Sequence, residues 1–201
     1  MFEVSAEVIY NRRIKKGYFE IALSAPVIAK TALPGQFVNI KVTDGLEPLL
    51  RRPLSIHKTK EKKQIVMLYE VLGKGTQKLS REKAGEYLDV IGPLGGGFRL
   101  SEPRTNAERS GASPKGTNHK SQILVAGGMG TAPLVFLANK LIRKRTTNHE
   151  SPITVLIGAK TKEDILCEKE FSKLGCEVMV STDDGSRGFK GYVSDLLSHT
   201  L

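Results

Sequence analysis

The sequence predicts a β unit followed by an α/β unit: an antiparallel barrel or sandwich first, then a parallel sheet with helices. Up to about residue 100, apolar and polar residues alternate in short runs that Gly, Pro and charged turns separate, which is typical of half-buried antiparallel strands. From Ile123 onward, apolar runs alternate with stretches of helical period, the pattern of parallel strands joined by right-handed crossovers. We therefore expect domains at 1–100 and 123–201.

The segment 101–122 separates the two predicted domains. It reads SEPRTNAERSGASPKGTNHKSQ and contains no large apolar residue. Such a stretch cannot bury enough surface to offset the entropy of ordering it. We expect a flexible linker or a surface loop here.

Alternation places the strands of the first domain. Val4, Ala6 and Val8 fall on one face of the first run, and the same period recurs in the later runs. The predicted strands cover residues 2–8, 19–23, 36–42, 64–71 and 87–91. Turn signals such as Pro34-Gly35 separate them, so this domain is expected to be β apart from a short helical run at Gln77–Ser80.

A glycine turn opens the second domain. The run Ile123–Leu134 passes from an apolar strand through Gly127, Gly128 and Gly130 into a helix with Pro133 in its first turn. Glycines let backbone amides approach a ligand closely, and a helix start favours an anion such as phosphate. The spacing departs from the dinucleotide fingerprint G-x-G-x-x-G, because Pro133 stands at the third glycine. On these residues alone, a plain strand-to-helix connection is an equal alternative.

The rest of the chain alternates helix and strand. The predicted elements are a helix through Ile142, a strand at 153–157, a helix from Thr161 to about Leu174, a strand at 177–181 and a short helix from Tyr192. Three parallel strands would leave an open sheet edge where the sequence ends at Leu201. We expect either a partner that covers this edge or a truncated form of a longer protein.

The chain is strongly basic. Lysine and arginine number 31 against 21 acidic residues, for a formal net charge of +10. This balance suits nucleic acid, an anionic membrane or an acidic protein, but the basic residues are dispersed and no aromatic side chains lie among them. A solvated basic surface is therefore favoured, with docking onto an acidic partner left open, and neither nucleic acid nor a membrane is an expected partner.

The start of the chain and its cysteines carry little further signal. Met1 is followed directly by strand-like sequence, and no apolar run is long enough to span a bilayer, so we expect a cytoplasmic protein. Cys167 and Cys176 are too few for a disulfide framework. The 4 histidines form no constellation, and neither a metal site nor a catalytic side chain is predicted.

A second motif, Leu50–Ile56, suits a diphosphate group. Arg52 is a bidentate donor just before a strand-borne Leu-Ser pair, and Ser55 offers a hydroxyl and an amide to a polar ring edge. Downstream, Gly73–Thr76 repeats the arrangement of glycine before a helix start. The alternative is a basic strand start headed by a proline.

Taken in order, these segments resemble the ferredoxin reductase superfamily, in which an FAD-binding barrel precedes an NAD(P)-binding α/β domain. The sequence is most similar to the electron transfer subunits of two-subunit, NAD-linked dihydroorotate dehydrogenases. The motifs that carry this resemblance are PLLRRPLSI, MLYEVLGKGT, LDVIGPLGGGF, VAGGMGTAPL and STDDGSRGFKGYVSDLL. It covers nearly the whole chain apart from the predicted linker.

The resemblance implies a set of cofactor-binding residues. It implies Arg52 on the FAD pyrophosphate and Ser55 beside the isoalloxazine ring. The full set for FAD is Arg52, Pro53, Leu54, Ser55, Tyr69, Glu70, Val71, Gly75 and Thr76. For the nicotinamide nucleotide it is Gly127, Gly128, Gly130 and Thr131. Asp183 and Asp184, at the carboxyl edge of the sheet, are candidates for nucleotide contact, with a solvated turn as an equal alternative.

The resemblance also implies a function and marks a departure. Family members pass electrons from a catalytic subunit that oxidises dihydroorotate, through an iron-sulfur cluster and FAD, to NAD in pyrimidine (UMP) biosynthesis. They continue through a Cys-Gly-Pro motif and four cysteines that bind a two-iron, two-sulfur centre, whereas Cys167 and Cys176 cannot supply four ligands. We therefore expect no cluster on this chain and an incomplete NAD site. The alternatives are a ferredoxin-NADP reductase or sulfide dehydrogenase subunit, or a truncated, non-catalytic flavin- or partner-binding module.

Overall fold

A computed structural model of the protein describes residues 1–43, 45, 47–99, 122–144 and 152–201. Within these residues the chain forms a closed barrel of antiparallel strands and a separate parallel sheet, which confirms the predicted fold class. The predicted linker lies outside the described residues except for Gln122. The domain boundaries at 100 and 123 therefore stay predictions.

The barrel consists of strands whose inward faces are apolar. They are β1 (Phe2–Lys15), β2 (Tyr18–Ser24), β3 (Phe37–Ile40), β4 (Arg52–Lys60), β5 (Gln64–Glu70) and β6 (Tyr87–Leu94). Around the barrel the order is β1-β2-β5-β4-β3-β6. The long strand β1 closes it, because its first half pairs with β6 and its second half with β2. Fully buried side chains fill the interior, among them Ile21, Leu23, Ile40, Ile56, Ile65 and Met67.

Two short helices cover the barrel, and both differ from the sequence-based expectation. Helix α1 (Pro26–Thr31) was not predicted; it starts on a proline and buries Ile28, but six residues are too few to show a helical period. Helix α2 (Lys74–Leu79) begins three residues before the predicted run, because Gly73 caps it and accepts the amide of Gln77 at 2.9 Å.

The α/β unit is a parallel sheet flanked by helices. Its strands are β7 (Ile123–Gly127), β8 (Thr154–Ala159), β9 (Glu177–Thr182) and β10 (Phe189–Lys190), in the order β10-β9-β8-β7. The prediction of three strands was incomplete, since β10 is only two residues long and too short to show a pattern. The helices are α3 (Thr131–Lys144), α4 (Glu168–Lys173) and α5 (Val193–Thr200). The core of this unit includes Ala138, Val155, Ile157 and Phe171.

The predicted helix from Thr161 to Leu174 was wrong over its first half. Residues Lys162–Asp164 form a single 3-10 turn, the chain becomes extended at Ile165, and α4 starts only at Glu168. The barrel supplies the reason: Lys15 Nζ donates to the carbonyls of Glu163 and Ile165, at 2.6 and 3.0 Å. Those carbonyls are thus satisfied from outside and do not need helical partners.

The two units pack against each other. Helix α3 contacts strand β4, and Phe136 on α3 packs against the apolar core of the barrel. Among the residues described, no helix combines the length and apolarity required to cross a bilayer.

Candidate functional site

The guanidinium of Arg52, at the start of β4, lies directly on the backbone of Gly75 in α2. A Cβ atom on Gly75 would be 2.5 Å from Arg52 Nε. Arg52 Nη2 donates to the carbonyl of Leu50 at 2.8 Å, while Nε is buried without a hydrogen-bond partner among the described residues. A buried donor left unpaired is costly, so this end of the barrel presents a cationic donor that an anionic ligand would satisfy.

The neighbouring Arg51, unlike Arg52, has its guanidinium engaged by acidic side chains. Its Nη1 donates to Asp89 Oδ1 at 3.0 Å, and its Nη2 to Asp89 Oδ2 at 2.8 Å and to Glu3 Oε1 at 3.1 Å. Arg51 therefore links the residue before β4 to strands β6 and β1, while Arg52 faces α2. Of the two adjacent arginines, Arg52 is the one whose geometry suits a phosphate group.

The rest of the Arg52–Ser55 motif divides between the two faces of β4. Leu54 points inward and belongs to the barrel core, so only its backbone can face a ligand. Pro53 is exposed and Ser55 is half-buried, on the outer face that alternation gives to odd-numbered positions of this segment. Ser55 thus lies where a ring bound outside the barrel would meet it.

The predicted flavin-lining residues on and just after β5 also lie in different environments. Tyr69 is buried inside the barrel, donates to Asn11 Oδ1 at 2.9 Å and stacks on Phe19 with ring centroids 5.6 Å apart. Burial raises the pKa of Tyr69 well above its usual range. Glu70 is half-buried at the mouth of a cavity, while Val71 donates its amide to the carbonyl of Gly17 at 2.8 Å.

At the start of α2, the predicted phosphate-binding residues are backbone groups. Gly75 is buried beneath Arg52. The hydroxyl of Thr76 is used locally, because it accepts the amide of Leu72 at 3.0 Å. The amides of Gly75 and Thr76 lie in the first helical turn, where no intrahelical acceptor exists. Together with Arg52, they form a donor set that fits a diphosphate.

The glycine turn between β7 and α3 has the predicted form. Gly128 adopts φ +50°, and a Cβ atom on Gly128 or Gly130 would meet nothing within 4 Å. Thr131 is fully buried and donates its hydroxyl to the carbonyl of Gly128 at 2.7 Å. Its side chain therefore closes the turn, while the glycine backbone faces open space. Gly127, the last residue of β7, approaches the neighbouring strand β8.

A cavity of about 410 Å³ lies between the barrel and the carboxyl edge of the parallel sheet. It is lined by Tyr18, Glu70, Gly128, Gly158, Ala159, Lys160, Asp164 and Asp183. The predicted residues Glu70, Gly128 and Asp183 thus meet, at the position where open α/β sheets bind ligands. Lys160 and Tyr18 were missed. The available signal for Lys160 was its place three residues after the predicted strand 153–157, whereas Tyr18 reaches the cavity only through the packing of the two units.

Asp184 does not line this cavity. Its Oδ1 accepts the amide of Ser186 at 2.9 Å and the hydroxyl of Ser186 at 2.6 Å. These hydrogen bonds lower the pKa of Asp184. Asp184 therefore stabilises its turn, as the solvated-turn alternative expects, and Asp183 is the nearer candidate for nucleotide contact.

The cysteines do not fit an iron-sulfur cluster, because such a centre takes four thiolates and these 201 residues contain 2 cysteines. Cys167 lies near His57 and Glu170, with potential ligand atoms within 4.8 Å of one another. Burial raises the pKa of the Cys167 thiol to about 12, whereas metal ligation uses the thiolate. In addition, Lys58 Nζ lies 3.0 Å from Glu170 Oε2, so its positive charge would repel a metal ion bound to that oxygen.

Comparison with known proteins agrees with this geometry. Residues 124–200 match the family described as oxidoreductase NAD-binding domain. The dihydroorotate dehydrogenase B (NAD(+)) electron transfer subunit of Desulforamulus reducens is 38% identical over 197 residues, which cover 98% of this chain and 68% of that protein. The protein of the same name from Bacillus cereus (strain Q1) is 36% identical over 193 residues, covering 96% and 67%.

Solved structures share the architecture. The structure of an NADH-dependent reduced ferredoxin-NADP oxidoreductase superposes with a TM-score of 0.76 at 30% identity, covering 98% of this chain and 63% of that one. The Amycolatopsis cytochrome P450 reductase GcoB has a TM-score of 0.75 at 18% identity, covering 100% and 58%, and shows the fold alone. The ferredoxin-NADP reductase alternative fits these matches less well than the dihydroorotate dehydrogenase subunits do.

The chain spans about two thirds of the length of these curated relatives. The chain belongs to the family of dihydroorotate dehydrogenase B electron transfer subunits.

Proposed function

We propose that this protein is the flavin-carrying electron transfer subunit of an NAD-linked dihydroorotate dehydrogenase. The observation that carries the proposal is the contact between Arg52 and Gly75, which leaves a buried guanidinium donor without a partner in the described part of the chain. Membership of the family supports it. In this role the protein is an oxidoreductase subunit that needs no side chain to act as a general acid or base.

The outer face of the barrel is the proposed flavin site. Arg52 would neutralise the pyrophosphate, and the first amides of α2, at Gly75 and Thr76, would donate to its oxygens. Ser55, on the outer face of β4, would contact the ring edge. When bound, FAD supplies the redox chemistry that links the partner subunit's substrate to the nicotinamide.

The cavity between the units is the proposed nucleotide site. Its wall on the barrel side includes Glu70, and its opposite wall is the open glycine backbone at Gly128. This arrangement would hold a nicotinamide ring beside a flavin on the barrel, with the units excluding water between them. One lysine, Lys160, and the carboxylates of Glu70, Asp164 and Asp183 line the cavity.

The proposed partner is the catalytic subunit of dihydroorotate dehydrogenase. The name of the relatives, which designates them as electron transfer subunits, supports a hetero-oligomer. In this assembly the oxidation of dihydroorotate would drive the reduction of NAD in pyrimidine biosynthesis. We place the protein in the cytoplasm, where that pathway draws on NAD.

Adjacent arginines provide a matched test of the flavin site. R52A is expected to lose bound FAD, because removing a charge-assisted donor to a phosphate weakens binding by about 10- to 150-fold. R51A, which loses the ion pairs to Asp89 and Glu3, is expected to keep FAD. The measurement is the flavin absorbance per protein after purification and gel filtration. Equal flavin content in R52A and the unsubstituted protein would refute the assignment of Arg52.

A further inference from the structure

His57 joins the proposed flavin strand to the nucleotide-binding unit. It lies on β4, and its side chain is fully buried. Its Nδ1 is 2.8 Å from the carbonyl oxygen of Ala132, in the first turn of α3, and its Nε2 is 3.0 Å from Glu170 Oε2 on α4. The histidine therefore contacts two helices of the other unit from within a barrel strand.

These contacts give each ring nitrogen a neighbour that accepts hydrogen bonds. Nδ1 faces the carbonyl oxygen of Ala132 and Nε2 faces the carboxylate of Glu170, so N–H groups of the ring can donate to both helices. Burial opposes ionisation of Glu170, but the hydrogen bond and charge of His57 and the charge of Lys58 outweigh it and lower the pKa of Glu170 to about 2.

An irregularity in β4 makes this arrangement possible. Successive side chains of a regular strand point to opposite faces, yet His57 and Lys58 both reach Glu170 Oε2, each at 3.0 Å. The pairing of β4 with β5 shifts register between Ile56 and Lys58, which is a bulge of the kind that redirects a side chain. The bulge turns two consecutive residues toward the same carboxylate.

The network continues into the barrel, where it is anchored. Lys58 Nζ also lies 3.5 Å from Glu20 Oε1. Glu20 is buried, and its carboxylate accepts from Arg12 Nη2 at 2.6 Å and from the hydroxyl of Tyr10 at 2.9 Å. The titratable groups that surround His57 and its partner Glu170 include Cys167 from the α/β unit, and Lys58, Glu20, Tyr10 and Arg12 from the barrel.

The carbonyl that His57 bonds is close to the glycine turn. Ala132 directly follows Thr131, whose hydroxyl donates to the carbonyl of Gly128 at 2.7 Å. The chain of contacts therefore runs from β4 through His57, Ala132 and Thr131 to the turn. A shift at Ala132 would move Gly128 relative to the barrel, since Thr131 and Ala132 are both fully packed.

We infer that His57 is a positioning residue: through its hydrogen bond to the carbonyl of Ala132 it fixes the start of α3, and hence the Gly128–Gly130 turn, relative to the strand that carries Arg52 and Ser55. The inference rests on the proposed function, in which these two elements hold the flavin and the nicotinamide. Hydride transfer depends steeply on the separation of the two rings, so the hydrogen bond to Ala132 sets the rate without contact between His57 and either cofactor.

Substitutions can separate the two hydrogen bonds of His57. Asparagine places an amide N–H near the position of Nδ1, so H57N keeps the donation to Ala132, whereas H57Q places one near Nε2 and keeps the donation to Glu170. H57F removes both at similar volume. E170Q serves as the control that leaves the bond to Ala132 in place.

Two measurements test the inference. In the flavin-loaded chain, the limiting rate of flavin reduction by NADH should fall about 10- to 100-fold in H57F and H57Q and stay within about 3-fold in H57N and E170Q, with the Kd for NADH little changed. In the chain without flavin, amide hydrogen exchange over residues 131–138 should accelerate in H57F and H57Q but not in H57N.

Each contrary outcome has a distinct meaning. Unchanged limiting rate and exchange in H57F, or equal losses in H57N and H57Q, would overturn the inference. Zinc bound in equimolar amount to the purified protein and lost in H57N would replace it with a metal site. If the unsubstituted chain fails to bind FAD, the proposed function fails, while the exchange measurement still decides whether His57 positions α3. If H57F does not fold, the comparison of H57N with H57Q gives the decision.

Discussion

Replacement of Gly75 by alanine should separate flavin binding from stability. The new Cβ atom would lie 2.5 Å from Nε, 2.8 Å from Cδ and 2.9 Å from Cζ of Arg52, all closer than van der Waals contact. Arg52 has a flexible side chain, so its guanidinium would move outward while the backbone of α2 stays in place. The expected defect is therefore in the position of the charge that faces the diphosphate.

The magnitude follows from two opposed terms. Alanine in a helix is about 0.5–1 kcal/mol more favourable than glycine, which offsets the cost of displacing the arginine, so thermal stability should change little. A charge-assisted hydrogen bond is worth about 1.5–3 kcal/mol, and its loss corresponds to FAD binding that is about 10- to 150-fold weaker. G75A should thus remain folded and bind FAD poorly.

A titration of the flavin-free protein with FAD, followed by fluorescence quenching, measures this effect. G73A is the matched control, because a Cβ atom on Gly73 would meet nothing within 4 Å. Alanine at an N-cap is about 1 kcal/mol less favourable than glycine, but this cost falls on the stability of the helix and not on Arg52. The FAD affinity of G73A should therefore stay within about 3-fold of that of the unsubstituted protein. FAD affinity that is unchanged in G75A, or reduced equally in both variants, would refute the reasoning.

Two further predictions concern the stability of the α/β unit and its contact with the barrel. The pKa of Glu170 lies below its ordinary value, at about 2, so the ionised carboxylate stabilises the fold at neutral pH, and this contribution is lost as pH falls from about 4.5 toward 2. After discounting for the solvent exposure of Glu170, E170Q should lower the free energy of unfolding in urea by about 1–2 kcal/mol at neutral pH and should lose less stability on acidification than the unsubstituted protein does. An equal loss of stability on acidification in both proteins would contradict the assignment. G188A should destabilise the unit by roughly 3 kcal/mol in the same assay, because Gly188 has φ +68° and its Cβ would overlap the carbonyl of Val180. Its control is G175A, at φ +82° in open space, which should cost only about 1 kcal/mol. Equal losses of stability in the two variants would argue against the overlap.

Elements whose signal is local could be predicted from the sequence. Alternation located five of the six barrel strands, all except β4, although it gave only the first half of β1. The run of glycines before Pro133 located the turn into α3, since both patterns depend only on neighbouring residues. Helix α1 and strand β10 are too short to carry a period. The false helix start at Thr161 arose because Lys15, 148 residues away from Glu163 in the chain, satisfies the carbonyls there.

The candidate site, too, could be predicted from the sequence only in part. The motif around Arg52 identified a cationic strand start, but only the structure shows that Arg51 is engaged by Asp89 and that Arg52 rests on Gly75. His57 had no sequence signal, because its role depends on a bulge in the pairing of β4 with β5 and on the docking of two helices from the other unit. Residues defined by such long-range contacts lie beyond pattern analysis.

The visible absorption spectrum of the FAD-loaded protein, recorded before and after anaerobic addition of NADH, tests the central claim most directly. Flavin bands that bleach on addition of NADH are the predicted result, since they require FAD on the barrel and a nucleotide beside it. Bands that persist would contradict the proposed nucleotide cavity. A protein that neither carries FAD nor takes it up would contradict the account as a whole and leave a non-catalytic binding module as the alternative.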